Sequence, residues 1–167
     1  YRLVRTTESG TAGGIKKALS FIPDNEPFII TWGDLFFVDE PFFIREENLL
    51  VGISNGFKCR WSLIDKKFVN EPSTDKGVVG FFVFRDKSKF KDLKIDKSLV
   101  RGFLSECYTP EDIGEFVMFN TFEVGEKEKY EEILAKKITH RFFNKVEMDD
   151  KKVYKSCIVP EYDNVHE

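Results

Sequence analysis

The longest apolar segment of this 167-residue chain is only seven residues long and covers residues 78–84, Val-Val-Gly-Phe-Phe-Val-Phe. A membrane-spanning helix needs about 20 apolar residues, whereas a buried strand needs about four to eight. The segment therefore predicts a central β-strand and argues against a transmembrane helix. A second apolar segment, residues 28–32, shows no polar alternation. It predicts a strand buried on both faces, as in a parallel sheet.

Helical periodicity surrounds these strands. A small-residue turn, residues 10–14, precedes apolar residues that recur at i, i+3, i+4 and i+7: Ile15, Ala18, Leu19 and Ile22. Near the end of the chain, a last helix is predicted to place on its inner face Tyr130, Ile133, Leu134 and Ile138. Because strand and helix signals alternate, we expect an α/β fold, in three α/β/α layers with a mixed, mainly parallel sheet.

Charge and composition exclude several classes of function. The net charge of −3 disfavours broad nucleic-acid binding, which needs a basic face. Three widely spaced cysteines without a CxxC pair are typical of a reducing cytoplasm, the expected compartment. With only two histidines, any metal site is expected to use oxygen ligands, which suits Mg²⁺. The sequence does not specify the oligomeric state, and a homo-oligomer is one of the alternatives.

Two places satisfy the rule that ligands bind beyond the carboxyl ends of strands in α/β sheets. The glycine-rich turn before the first helix lets a ligand approach the backbone closely and offers unpaired N–H groups. Asp34 directly follows the strand at residues 28–32, where a carboxylate is suited to binding Mg²⁺. The alternatives are an ordinary turn at the first place and a turn or capping residue at the second.

The order of these features resembles the sugar-phosphate nucleotidyltransferase family. Residues 10–13, Gly-Thr-Ala-Gly, are followed by a helix, a strand and Trp32-Gly33-Asp34, similar to the family's G-T-A-G-A and N-G-D segments. Three later segments are similar to its F-V-E-K-P, N-A-G-I-Y-V-F and W-L-D-I-G-T-P-E-D-Y segments: residues 68–72, 77–84 and 122–130. The resemblance covers residues 1–138 and implies a nucleotide-diphospho-sugar transferase-like domain. Residues 139–167 are predicted to form a C-terminal hairpin or tail.

The resemblance also implies roles for individual residues. Asp34 and Glu123 are the expected catalytic Mg²⁺ ligands, with Glu123 standing where the family has Asp. A surface position before a helix is the alternative for Glu123. The nucleotide is expected to contact Gly10, Thr11, Ala12, Gly13 and Gly33. The phosphorylated acceptor is expected to contact Gly80 and Glu71.

The sequence departs from the family pattern at three places. The N-terminal G-x-G-T-R-L segment is not found, so the domain is expected to lack its N-terminal portion. Glu71 replaces the lysine of E-K-P, which removes or replaces a phosphate contact. Trp32 replaces the asparagine of N-G-D, either as an aromatic surface near the site or as a packing residue.

The expected function is magnesium-dependent transfer of a nucleotidyl group from a nucleoside triphosphate, with CTP favoured. The acceptor is a phosphorylated small molecule or a sugar phosphate, pyrophosphate is released, and capsule or surface-polysaccharide synthesis is the expected context. The alternative is a non-catalytic subunit of the same fold that binds nucleotides or serves assembly. The missing N-terminal segment and Glu71 favour this alternative, whereas the retention of Asp34 and Glu123 disfavours it.

Overall fold

The computed structural model describes Arg5, Thr7 and residues 11–37, 46–94 and 98–135. The chain divides into two compact units, which are described separately. The first comprises Tyr1–Asp34 and Ile44–Phe119, and the second comprises Leu35–Phe43 and Asn120–Glu167. The predicted hairpin at residues 139–167 lies outside the described residues.

The described elements are strands and short helices, with six strands in succession between the first helix and the next helical turn. In chain order they are α1 (Thr11–Leu19), β1 (Phe28–Thr31), β2 (Leu35–Phe37), β3 (Leu49–Ser54), β4 (Ser62–Ile64), β5 (Lys67–Val69), β6 (Val78–Phe84), a 3₁₀ turn (Ser88–Asp92), a π-helical turn (Leu99–Leu104), α2 (Ser105–Cys107), β7 (Ile113–Met118), β8 (Thr121–Glu123) and α3 (Lys127–Ala135). No helix among them is both long and apolar enough to cross a membrane.

A four-stranded sheet with the order β1-β6-β3-β7 forms the centre of the first unit. β6 is antiparallel to β1 and β3, and β3 is parallel to β7. Three strands therefore run in one direction and β6 runs in the other. The predicted α/β fold with a mixed sheet is confirmed, and residues 78–84 form its central, completely buried strand as expected.

Phenylalanines dominate the core on one face of this sheet. Phe84 on β6 stacks on Phe28 with ring centroids 5.0 Å apart and meets Phe90 edge-on at 4.9 Å. Phe90 in turn contacts Phe103 at 4.6 Å. Rings at these distances add pairwise attraction to the burial of their large apolar surface.

The sequence prediction for residues 28–32 was wrong in one respect. Only Phe28 of β1 is buried, and Ile29 is 36% exposed. Among the described residues, β1 pairs only with β6 and therefore lies at an edge of the sheet. An apolar run without alternation is typical of a strand covered on both faces, but it does not specify whether each neighbour is present.

The first helix begins earlier than its apolar periodicity indicates. α1 starts at Thr11, so residues 11–14 are helical rather than a turn, and Ala12 and Gly13 are buried within its first turn. At its other end, the Lys87 ammonium donates hydrogen bonds to the carbonyl oxygens of Leu19 at 3.2 Å and Ile22 at 2.5 Å. The Leu19 carbonyl also accepts a hydrogen bond from the Ile22 backbone N–H, and Ile22 lies just beyond the helix. Lys87 therefore adds a donor where a helix has no further N–H groups to offer.

Strands β4 and β5 form an antiparallel hairpin that is joined by Asp65 and Lys66. Both residues have positive φ, 48° and 58°. Two successive left-handed residues form a type I′ turn, whose twist matches that of the flanking strands. Neither residue is glycine, so the turn carries a conformational cost.

Replacing Lys66 with glycine is expected to stabilise the chain by about 0.5–1 kcal/mol, because glycine adopts positive φ without a Cβ penalty. Lys67→Gly, one position later in β5, is the matched control and should destabilise by a similar amount. Urea unfolding measures both. Equal effects of the two substitutions would contradict this account of the turn.

Asp112 connects three segments of the first unit. Its carboxylate accepts hydrogen bonds from Lys89 Nζ at 2.7 Å, Asn48 Nδ2 at 2.5 Å and the Thr109 backbone N–H at 3.0 Å. Burial raises the pKa of the Asp112 carboxyl, but these hydrogen bonds outweigh burial and lower the pKa to about 2. The folded state therefore stabilises the ionised form of the Asp112 carboxyl.

Since the folded pKa of Asp112 lies below its unfolded value, its contribution to stability is present above about pH 4 and is lost as the pH falls towards 2. Asp112→Asn is expected to lower the free energy of unfolding at pH 7 by about 1–2 kcal/mol, with a smaller difference at pH 3. Urea unfolding at both pH values measures this, and a difference independent of pH would contradict it.

In the second unit, β2 and β8 form an antiparallel ladder that pairs Leu35 with Glu123. The prediction for the inner face of α3 was largely wrong. Ile133 is buried, but Tyr130 and Leu134 are 51% and 56% exposed, and Ile138 lies outside the described residues. Helical spacing identifies an apolar stripe but not which edge of it meets the core.

Candidate functional site

The turn after β1 places a carboxylate in solvent. Trp32, Gly33 and Asp34 follow the strand directly, and Asp34 is exposed. Among the described residues, the Asp34 carboxylate has no hydrogen-bond or ion-pair partner. A Cβ added to Gly33 would meet nothing within 4 Å. This turn is therefore open to a ligand.

The segment expected to contact a nucleobase is only partly described. Gly10 lies outside the described residues. Thr11 is exposed at the start of α1, whereas Ala12 is completely buried and belongs to the core of the first unit. Gly13 is also buried. The nucleotide-binding role of these residues stays a prediction, and among the three described ones Thr11 is the one exposed to solvent.

Trp32 lies directly against Gly80. Gly80 has φ +85°, and a Cβ built on it would lie 1.8 Å from Cδ1 of Trp32. The Trp32 backbone N–H donates to the Gly80 carbonyl at 3.0 Å, and the indole meets Phe82 edge-on at 6.0 Å. Trp32 thus has the packing role that the sequence left open. The acceptor contact expected at Gly80 stays a prediction.

Glu71 is exposed in the loop that follows β5. The hydroxyl of Ser62, which is buried, donates a hydrogen bond to the Glu71 backbone carbonyl. The loop backbone is therefore anchored to the hairpin, while the side chain extends into solvent. Its contact with an acceptor stays a prediction.

Glu123 ends β8 and is engaged by a lysine that sequence reasoning missed. Lys129, in the first turn of α3, donates a hydrogen bond to Glu123 Oε2, and its Nζ lies 3.5 Å from Glu126 Oε2. The hydrogen bond with Glu123 raises the pKa of the Lys129 ammonium. One sequence signal was available: Lys129 directly precedes Tyr130, where the family pattern E-D-Y has a carboxylate.

The two predicted metal ligands, Asp34 and Glu123, carry the oxygen donors that Mg²⁺ prefers. Both are carboxylates, and the Lys129 ammonium shows that Glu123 already accepts a cation. No group of three or more His, Cys, Asp or Glu side chains suited to a metal lies within the described ranges. Mg²⁺ is usually held by one or two carboxylates, with water and substrate phosphates completing the octahedron.

Comparison with known proteins gives a match in structure alone. No protein-family profile matches the chain, and no curated protein matches it. The chain is similar in fold to HddC from Yersinia pseudotuberculosis. The two share 21% sequence identity with a TM-score of 0.59, over 79% of this chain and 64% of HddC. A second structure, HddC complexed with GMP-PN, gives 19% identity and a TM-score of 0.55, over 80% and 65% of the two chains.

The similarity to HddC agrees with the predicted α/β fold and shows that the two chains share that fold. This chain spans less than two thirds of the length of HddC. At 19–21% identity, the similarity does not transfer an activity, because one fold supports many functions.

Proposed function

We propose that this chain is part of a nucleotidyltransferase that joins a nucleoside triphosphate to a phosphorylated small molecule or sugar phosphate and releases pyrophosphate. Asp34 and Glu123 are its proposed Mg²⁺ ligands. The fold shared with HddC, which binds GMP-PN in one structure, is the observation that carries the proposal. The order of the family-like segments around Asp34, Gly80 and Glu123 supports it.

The chemistry requires neutralisation and alignment more than a strong base. A phosphate oxygen of the acceptor, already anionic at neutral pH, attacks the α-phosphorus in line. The bond from the α-phosphorus to the bridging oxygen breaks, and pyrophosphate leaves. When bound, Mg²⁺ would lower the repulsion between the anions and neutralise charge on the leaving group. The exposed carboxylate of Asp34 and the half-buried carboxylate of Glu123 supply the oxygen donors.

The nucleobase and the acceptor belong to the proposal. The sequence resemblance favours CTP and a role in capsule or surface-polysaccharide synthesis in the cytoplasm, whereas one structure of HddC is a complex with GMP-PN. We therefore propose to test CTP first, with GTP, UTP and dTTP beside it.

A non-catalytic nucleotide-binding or assembly subunit is the second candidate. Two observations favour it: Glu71 replaces a family lysine, and the Glu123 carboxylate is already neutralised by Lys129. Such a subunit would bind a nucleotide but would not turn it over.

Pyrophosphate release tests the proposed function. Each triphosphate is incubated with Mg²⁺ and a panel of phosphorylated acceptors, with nucleotide binding followed in parallel by calorimetry. Release that depends on both substrates, and that is lost in Asp34→Ala, supports the transferase. Nucleotide binding without release under any pairing supports the subunit. The absence of both would overturn the proposal.

A further inference from the structure

The ion pair at the end of β8 joins the proposed metal ligand Glu123 to the ammonium of Lys129. Lys129 donates to Glu123 Oε2, and the side chains are 39% and 23% exposed respectively. A second carboxylate oxygen, Glu126 Oε2, lies 3.5 Å from Lys129 Nζ, and the Glu126 side chain is 66% exposed. The Lys129 ammonium therefore forms a close ion pair with the partly buried Glu123 carboxylate and a weaker one with the exposed Glu126 carboxylate.

Helix stability does not explain this lysine. Lys129 is the third residue of α3, and a cation in the first helical turn opposes the helix dipole, whose N-terminal end is positive. A carboxylate would be favoured there, as the family's E-D-Y pattern has. The ion pair with Glu123 compensates for this disadvantage and links α3 to β8.

A lysine can exchange partners without moving its backbone. Its ammonium ends a flexible four-carbon stem and carries three donors, and it binds phosphate as readily as carboxylate. At the position where the family pattern has a lysine, this chain has Glu71, so the cation expected there is missing.

We propose that Lys129 is a phosphate-binding residue that holds the cation position at Glu123 until Mg²⁺ binds there and then transfers its hydrogen bond to a phosphate oxygen of the nucleotide or of the acceptor. This inference rests on the proposed function. It gives the site a cation of its own and makes metal and phosphate binding sequential.

Lys129→Met is expected to strengthen Mg²⁺ binding and to weaken the binding of a phosphate-bearing ligand. Lys129→Met removes the ammonium that competes for Glu123, so Mg²⁺ alone should bind about 3-fold or more tightly, as expected for removal of a nearby positive charge. Binding of CTP or of glucose 1-phosphate at saturating Mg²⁺ should weaken by about 10-fold or more, since a charge-assisted hydrogen bond is lost. Whichever ligand weakens identifies the phosphate that is contacted. Lys129→Arg should keep most of the phosphate affinity.

Lys127→Met is the matched control. Lys127 lies in the same helical turn, is 80% exposed and pairs only loosely with Glu131 at 3.6 Å. Its replacement should change both affinities by less than about 2-fold. Calorimetry measures all variants, and circular dichroism confirms that α3 is retained.

A measurement on the unaltered chain does not depend on how the variants fold. Lys129 should be acetylated faster by an amine-reactive reagent when Mg²⁺ alone is added, and more slowly again when CTP or glucose 1-phosphate is added, with Lys127 as the internal reference. Mg²⁺ binding that leaves Lys129 labelling unchanged, or a Lys129→Met variant in which both affinities change in the same direction or not at all, would overturn the inference alone. Absence of both Mg²⁺ and nucleotide binding in the unaltered chain would overturn it together with the proposed function.

Discussion

Replacing Asp34 with asparagine is expected to lower the rate of pyrophosphate release by about 10²–10³-fold without unfolding the chain. The substitution keeps the size of the side chain and removes the charge that binds Mg²⁺. Losing one electrostatic contact to a transition state commonly costs a factor of this size. Stability should be unchanged, because Asp34 is exposed and its carboxylate has no partner among the described residues. Pyrophosphate release at saturating nucleotide measures the effect.

Asp65→Asn provides the control for charge. Asp65 is also an exposed aspartate in a turn, and asparagine tolerates its positive φ well. The same chemical change there should alter the rate by less than about 2-fold. An Asp34→Asn variant that keeps more than a fifth of the original rate would contradict the role of Asp34 as a metal ligand.

Replacing Gly80 with alanine is expected to destabilise the chain by about 3–5 kcal/mol. Two costs add. The φ of +85° disfavours any L-residue with a Cβ, and that Cβ would lie 1.8 Å from the Trp32 indole. β6 is completely buried and paired on both sides, so the backbone has little room to shift. Urea unfolding measures the change.

A double-mutant cycle separates these two costs. In a Trp32→Ala background the steric clash is absent, and Gly80→Ala should cost only about 1–2 kcal/mol for the backbone conformation. Gly33→Ala is the matched control, since its Cβ would meet nothing within 4 Å, and it should change stability by less than about 0.5 kcal/mol. A Gly80→Ala variant as stable as Gly33→Ala would contradict the described packing.

Local patterns predicted the elements of this fold better than their surroundings. Residues 78–84 are apolar at nearly every position because β6 is covered on both faces, and this was evident from the sequence. β1 has a similar composition but lies at an edge among the described strands. The difference lies in which strands are neighbours, and pairing between distant segments leaves no periodicity in either segment.

In the candidate site, too, local features were predicted from the sequence, whereas contacts between distant residues were not. Asp34 was identified because it follows an apolar strand, a local signal. The Trp32–Gly80 contact joins residues 48 positions apart, so the sequence indicated only that both were unusual. Lys129 was overlooked because a lysine beside glutamates on a helix is usually a solvated surface residue. The contact between Lys129 and Glu123 depends on the direction that α3 takes relative to the end of β8, which residue types alone do not reveal.

Paramagnetic relaxation by Mn²⁺ tests most directly whether Asp34 and Glu123 hold one metal ion. Mn²⁺ accepts the same oxygen ligands as Mg²⁺ and broadens the amide NMR signals of nearby residues. With CTP or GTP present, substoichiometric Mn²⁺ should broaden the signals of residues 33–35 and 122–124 together, and excess Mg²⁺ should restore both. Broadening of one segment without the other, or of neither, would contradict a metal-dependent nucleotidyltransferase site built on these two carboxylates.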